Sequence, residues 1–184
     1  LKVILHSHKA SAVLENVKLV LVGGEAVDEA LWRQLADITT TQFINAYGPT
    51  ECTVNTSMEW ITKENMPPSI GAALPNVHMV TMDRNGNPVP DGVAGELYIA
   101  GAGLARGYLN RDELTEQVFI DETIDGVGTI RFYRSGDLVR KRDDGKYTYL
   151  GRTDDQVKIR GYRVELGEID ACLMDHPCID QAIT

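Results

Sequence analysis

The alternation of apolar and polar positions changes rhythm near residue 53 and again near 153–155, dividing the chain into three stretches. Residues 18–22 form a mainly apolar run closed by Gly23-Gly24, which predicts a buried strand. Residues 27–36 set Val27, Ala30, Leu31 and Leu35 at helical spacing, with Asp28 and Glu29 in the first turn, and predict an amphipathic helix. Residues 42–46 predict a second strand, so 18–46 read as β-α-β with short connections, a unit that favours a parallel sheet. From residue 53 the period falls to two: Val54, Thr56, Met58 and Trp60 alternate as in a strand. Strands are predicted at 77–82 and 93–100 around the turn Asp83-Arg84-Asn85-Gly86-Asn87-Pro88, whose Asn-Gly pair favours positive φ. A helix is predicted over 112–119, and short strands over 130–133, 138–142 and 146–150, the last two joined at Asp143-Asp144-Gly145. Residues 53–150 thus read as an antiparallel region with the character of a distorted barrel. After the break at 151–155 come a strand at 156–159 and a helix at 165–174, with Ile169, Cys172 and Leu173 on one side. Residues 179–184 read as the beginning of a strand.

With 184 residues, 43% apolar and 24% charged, the chain has globular composition and enough length for one ordinary core. Lys and Arg number 18 against 27 Asp and Glu, a net charge of −9, which argues against a nucleic-acid partner. A nucleotide ligand is not disfavoured, because it needs only local cations and backbone amides. No run of 18 apolar residues occurs, so no membrane span is expected. Cys52, Cys172 and Cys178 lack metal-site spacing and read as reduced thiols of a cytoplasmic protein; His6, His8, His78 and His176 form no metal pattern. No signal peptide is recognisable, and both ends read as cuts inside a longer protein, since no Met opens the chain and it stops where a strand is expected to begin.

Three segments carry candidate chemistry. Asn45-Ala46-Tyr47-Gly48-Pro49-Thr50-Glu51 sits at the carboxyl end of a predicted strand, where open α/β sheets bind ligands. Its turn brings together a ring that can stack on a base, a hydroxyl that can donate to phosphate and a carboxylate that can hold magnesium. In Tyr133-Arg134-Ser135-Gly136-Asp137, a carboxylate after a Gly bend can accept from a ribose diol. Residues 151–163 gather Arg152, Lys158, Arg160 and Arg163, four cations in twelve residues of an acidic protein. Taken singly, each also reads as an ordinary turn or a solvated charged strand. Gly101-x-Gly103 lacks the Lys-Ser/Thr and the strand-turn-helix context of a phosphate cradle and reads as structural.

Taken in order, "NAYGPTE", "GELYIAGAGLARGYL", "YRSGDL" and "GRTDDQVKIRGYRVELGEID" resemble core motifs of the adenylation domains of nonribosomal peptide synthetases, and the resemblance covers most of residues 18–184. It implies a mixed α/β fold: residues 1–153 are the C-terminal part of a large adenylate-forming subdomain, a βαβ unit plus a barrel-like antiparallel region, and 154–184 begin a small α+β subdomain. It implies amino-acid activation by ATP, giving aminoacyl-AMP and pyrophosphate, then transfer to the phosphopantetheine thiol of a peptidyl carrier protein. A condensation domain is expected in the parent chain.

By similarity, Tyr47 would stack on adenine against the backbone of Gly24, Glu25 and Ala26, with Asn45 near the adenine amino group. Thr50 would bind the α-phosphate, Glu51 would hold Mg, Asp137 would take the ribose, and Arg152 and Tyr149 would flank the nucleotide. Thr50, Glu51 and Arg152 are thereby the catalytic candidates. Leu21, Gly23, Ala46, Val54 and Asn55 would line the amino-acid pocket, an apolar space with room for a large side chain. Asp154 would be the hinge between subdomains and Gly161 would lie where the pantetheine arm enters. The family's phosphate loop, its amine-anchoring Asp and its C-terminal Lys fall outside the 184 residues, so the piece alone is expected to be nearly inactive. Two other readings remain: an acyl-CoA-ligase-like relative, which usually carries Pro near the end of the last motif, and a non-catalytic module that docks a carrier protein.

Overall fold

The computed structural model describes residues 14–124, 128–159 and 162–184. Its first layer follows from the β-α-β rhythm. β1 (Leu19–Gly23) pairs in parallel with β2 (Gln42–Tyr47), and α1 (Glu29–Ala36) makes the crossover. The Asp28 carboxylate accepts from the Leu31 amide at 2.7 Å and so caps the first turn of α1. Trp32 and Leu35, wholly buried, seal α1 onto Phe43 and Ile61. β3 (Ser57–Trp60) then adds antiparallel to β2, and the short β4 (Ala72–Ala73) antiparallel to β3, giving the order β1-β2-β3-β4.

The second layer is the barrel-like region, an antiparallel sheet in the order β5-β6-β8-β7: β5 (Val77–Met82), β6 (Ala94–Gly101), β8 (Gly128–Lys141) and β7 (Phe119–Ile124). β9 (Tyr147–Arg152) is a fifth strand, on β8. One edge of β8 carries β7 along its first half and β9 along its second, while β6 holds the other edge. The two short strands expected at 130–133 and 138–142 are therefore one bent strand. Gly136, at φ +69°, lets it turn without leaving the sheet. The Asp83–Asn87 turn forms as expected, with Gly86 at φ +80° and the Asp83 carboxylate accepting from the Asn85 and Asn87 amides. Tyr47 and Cys52 pack with Leu97, Ile99, Tyr133 and Val139, so the end of the first sheet is buried in the core of the second.

α2 (Asp112–Val118) lies on the surface; β10 (Val157–Ile159) and β11 (Tyr162–Val164) form a hairpin, and α3 (Leu166–Met174) follows. β4, β7 and β11 lack a sequence signature, because each is short or carries charges that mask its alternation. The strand expected from residue 53 begins only at Ser57. Thr50–Cys52 is a 3-10 turn, and Thr53 and Val54 stand at φ 59° and 69°, because the chain must reverse before it can pair antiparallel to β2. Residues 179–184 form no strand; they have no neighbouring strand to pair with among the described residues. No helix among the described residues is long and apolar enough to cross a membrane, and the three cysteines are unpaired.

Candidate functional site

β2 ends on Asn45, Ala46 and Tyr47, and the turn beyond it starts at Gly48, where a Cβ would meet the Val54 carbonyl at 2.4 Å. Only glycine lets the returning 53–56 segment come this close, as the Thr56 amide and hydroxyl reach the Tyr47 carbonyl. A small cleft of about 90 Å³, partly open to solvent, lies at this strand end. Gly24, Glu25 and Ala26 form one wall; Asn45, Ala46 and Tyr47 form the floor; Pro68, Ser69, Ile70 and Tyr149 close it.

Behind the cleft wall a compact polar group ties β2, β8 and β9 together. The Tyr47 hydroxyl donates to Asp137 Oδ2 in a short hydrogen bond, and Arg152 Nη1 donates to Asp137 Oδ1 at 2.9 Å. The same guanidinium grips Asp154 with two bonds of 2.6 Å, from Nε and Nη2. Gly136 makes this fork possible, since a Cβ there would meet Arg152 Nη2 at 2.5 Å and Asp154 Oδ2 at 2.6 Å. Burial and the adjacent Asp137 charge push the Tyr47 phenol well above its ordinary value, so it stays a neutral donor. Burial, then Asp137, pushes Tyr149 up to about 12. For Asp154 burial works upward, yet the Arg152 hydrogen bond and charge win and hold its carboxyl below the ordinary 3.8.

Glu51 faces the other side of the turn. Its Oε1 accepts a short bond from the Tyr108 hydroxyl and an ion pair of 2.7 Å from Arg163 on β11. Burial alone would raise the Glu51 carboxyl, but the Tyr108 bond, its own backbone and Arg163 hold it below 4.5. Glu51 Oε2 is buried with no hydrogen-bond partner. Among the described residues no group of three or more acidic, His or Cys side chains gathers as a metal cage. A single carboxylate oxygen without a partner nevertheless fits magnesium, which binds through one or two carboxylates and takes its other ligands from phosphate and water.

The expected residues therefore fall into groups. Gly24, Glu25, Ala26, Asn45, Tyr47 and Tyr149 share the cleft, together with Ala46. Asp137, buried, and Arg152, half-buried, lie directly behind Tyr47. Thr50 is exposed on the 3-10 turn, and Glu51 is turned toward Tyr108 and Arg163, so neither lines the cleft. Of the other pocket candidates, Gly23 is the register partner of Ala46, with Leu21 two residues before it on the same face. Val54 is 62% exposed on the left-handed loop and Asn55 is half-buried beside it. Gly161 lies outside the described residues. Sequence reasoning missed Val27, Ser69, Ile70 and Lys158 in the cleft. Lys158 had a signal, the cationic run of 151–163, whereas Ser69 and Ile70 come from a loop 24 residues beyond Asn45 with no local mark.

The family model described as "AMP-binding enzyme" matches residues 1–109. One of the linear gramicidin synthase proteins of Brevibacillus parabrevis is 46% identical over 172 residues, covering 94% of this chain and 2% of the relative. The dimodular nonribosomal peptide synthase of Bacillus subtilis (strain 168) is 48% identical over 165 residues, covering 89% and 7%. Among solved structures, a holo NRPS protein containing adenylation and PCP domains, bound to a vinylsulfonamide inhibitor, superposes with a TM-score of 0.81 at 31% identity, over 89% of this chain and 29% of that one. A four-domain nonribosomal peptide synthetase bound to AMP and glycine superposes at 0.64 with 42% identity, over 89% and 12%. The chain thus spans a small part of the length of each protein it matches.

Proposed function

Since the chain belongs to the AMP-binding enzyme family, among the adenylation domains of nonribosomal peptide synthetases, we propose that it forms the nucleotide-binding end of an amino-acid-activating site. The amino acid's carboxylate oxygen attacks the α-phosphorus of ATP, and the bond to pyrophosphate breaks. The thiol of a carrier's phosphopantetheine then attacks the aminoacyl carbon, and AMP leaves. The observation that carries this reading is the cleft at the end of β2, where Tyr47 presents its ring while Asp137 and Arg152 lock that ring from behind.

In this reading the base lies between Tyr47 and the backbone of residues 24–26, and Asn45 meets its amino edge. Asp137, with a lone pair left on each oxygen, takes the ribose diol once the nucleotide enters; Tyr149 and Arg152 flank the sugar and α-phosphate. Thr50, exposed on its turn, donates to the α-phosphate. Glu51 Oε2 would hold magnesium, which when bound would supply charge neutralisation at the phosphates. Leu21, Gly23 and Ala46 face the amino-acid side chain, with Val54 and Asn55 at its rim. Residues 1–153 belong to the large subdomain and 154–184 to the small one, with Asp154 at the hinge, where the Arg152 fork latches it. The partners are an amino acid, a carrier-protein domain and a condensation domain on a longer chain, in a cytoplasmic enzyme.

Isothermal titration of the chain with AMP tests the reading. Saturable binding that Tyr47→Ala weakens by roughly tenfold or more is expected; no binding at millimolar AMP overturns it. ATP–pyrophosphate exchange by the 184 residues alone is expected to be at or near background. In a protein carrying this chain with its flanking sequence, exchange should follow amino acids and not fatty or aryl acids.

A further inference from the structure

Outside the cleft the most heavily connected buried charge is Glu59 on β3. Its side chain is 6% exposed, and Lys146, just ahead of β9, pairs with it at 2.7 Å. Asn65 Nδ2 and the Trp60 amide each donate to Oε1 at 3.0 Å, and the Ser69 hydroxyl donates to Oε2 at 3.3 Å. Lys146 also donates to Asn65 Oδ1 at 3.2 Å, which closes the group into a ring. Glu59 is the register partner of Asn45, so this cluster stands directly beside the floor of the cleft. A buried ion pair is weak evidence for stability, because desolvation offsets its attraction. What it does supply is a fixed geometry, and here that geometry leads into the site.

Ser69 is the link. Its hydroxyl is held by Glu59 and by the Gly71 amide at 3.1 Å, while its carbonyl accepts Asn45 Nδ2 at 2.7 Å. That last bond decides which way the Asn45 amide points: the nitrogen faces Ser69, and Oδ1 is the polar atom Asn45 keeps for the cleft. Lys146 is also continuous with Tyr147, which exchanges backbone bonds with Ile70 and Gly71, and with Tyr149 on the opposite cleft wall. One ion pair thus braces both the acceptor on the floor and the ring on the wall.

We propose that Glu59, Lys146 and Ser69 are positioning residues that set the base selectivity of the cleft, by holding Asn45 Oδ1 as a fixed acceptor for a 6-amino purine. The inference rests on the nucleotide reading above. A 6-oxo purine presents an acceptor where the 6-amino group would donate, so it meets Oδ1 lone pair to lone pair. A site built to receive a donor rejects the isostere lacking one far more strongly than an apolar pocket would. Loosening Ser69 lets the amide turn and offer Nδ2 instead, which removes the discrimination.

The test is titration of the chain with AMP and with IMP, in the unsubstituted protein, in Ser69→Ala, and in the paired variant Glu59→Gln/Lys146→Met, which leaves no unpaired buried charge. Unsubstituted protein is expected to prefer AMP, and both variants to lower the AMP:IMP affinity ratio by roughly tenfold or more. A purely structural role would lower the melting temperature and weaken both nucleotides in parallel, leaving the ratio unchanged; that result overturns the inference while the nucleotide reading stands. Failure of the unsubstituted chain to bind AMP overturns both. If the paired variant does not fold, Ser69→Ala decides alone, because it keeps the ion pair.

Discussion

Tyr47 gives its hydroxyl to Asp137 and its ring to the cleft, and the two contributions can be separated. Tyr47→Phe leaves a carboxylate oxygen with one donor fewer in a buried place, at an expected cost of about 1–3 kcal/mol in urea denaturation, and keeps the ring. Its AMP affinity is expected to stay within about threefold of the unsubstituted chain. Stacking of a base on an aromatic ring is worth about 1–3 kcal/mol, so Tyr47→Ala is expected to lose roughly tenfold or more. Equal losses in the two variants would mean that the hydroxyl, and not the ring, meets the nucleotide. At this scale the sequence spoke for Tyr47, Asn45 and Asp137 only through their motifs. Nothing local to "NAYGPTE" or "YRSGDL" says that Tyr47 and Asp137, 90 residues apart, bond to one another.

The elements differ in how they are attached. α1 is sealed by Trp32 and Leu35, whereas the β10–β11 hairpin has no buried apolar seal and is held to the rest of the molecule partly by the ion pair of Arg163 with Glu51. Because the folded Glu51 carboxyl lies below its ordinary 4.5, the attachment is fully present above that value. It is lost as pH falls through the lower folded value. Amides of residues 157–159 and 162–164 are therefore expected to exchange with solvent faster at a pH well below 4.5 than at pH 7, once intrinsic rates are corrected, while those of α1 keep their protection. Equal loss of protection in both would show that the hairpin has no separate tie. The βαβ unit was legible because a 3.6-residue period between two apolar runs admits few other structures. β7 and the single bent β8 were not legible: a glycine bend inside a strand and a turn between two strands leave the same local trace.

In the whole molecule two sheets share a core through Tyr47 and Cys52, and the third stretch begins at the exposed residues 153–155. If that stretch moves as a unit about Asp154, limited proteolysis is expected to cut first at 153–155, ahead of the Asp83–Asn87 turn, whose backbone is held by the Asp83 carboxylate. First cleavage inside residues 83–87 would argue against a hinge at Asp154. By itself the sequence determined the parallel βαβ start, the antiparallel region after it and the identity of the chemical groups at each motif, because periodicity and residue type are local properties. Only the tertiary structure decided which groups meet: that Asp137 stands behind Tyr47, that Glu51 turns to Arg163, and that Glu59 and Lys146 brace Asn45 through Ser69. Those pairings depend on strand register and on how two sheets pack, and each joins residues too far apart in the chain for any local pattern to record.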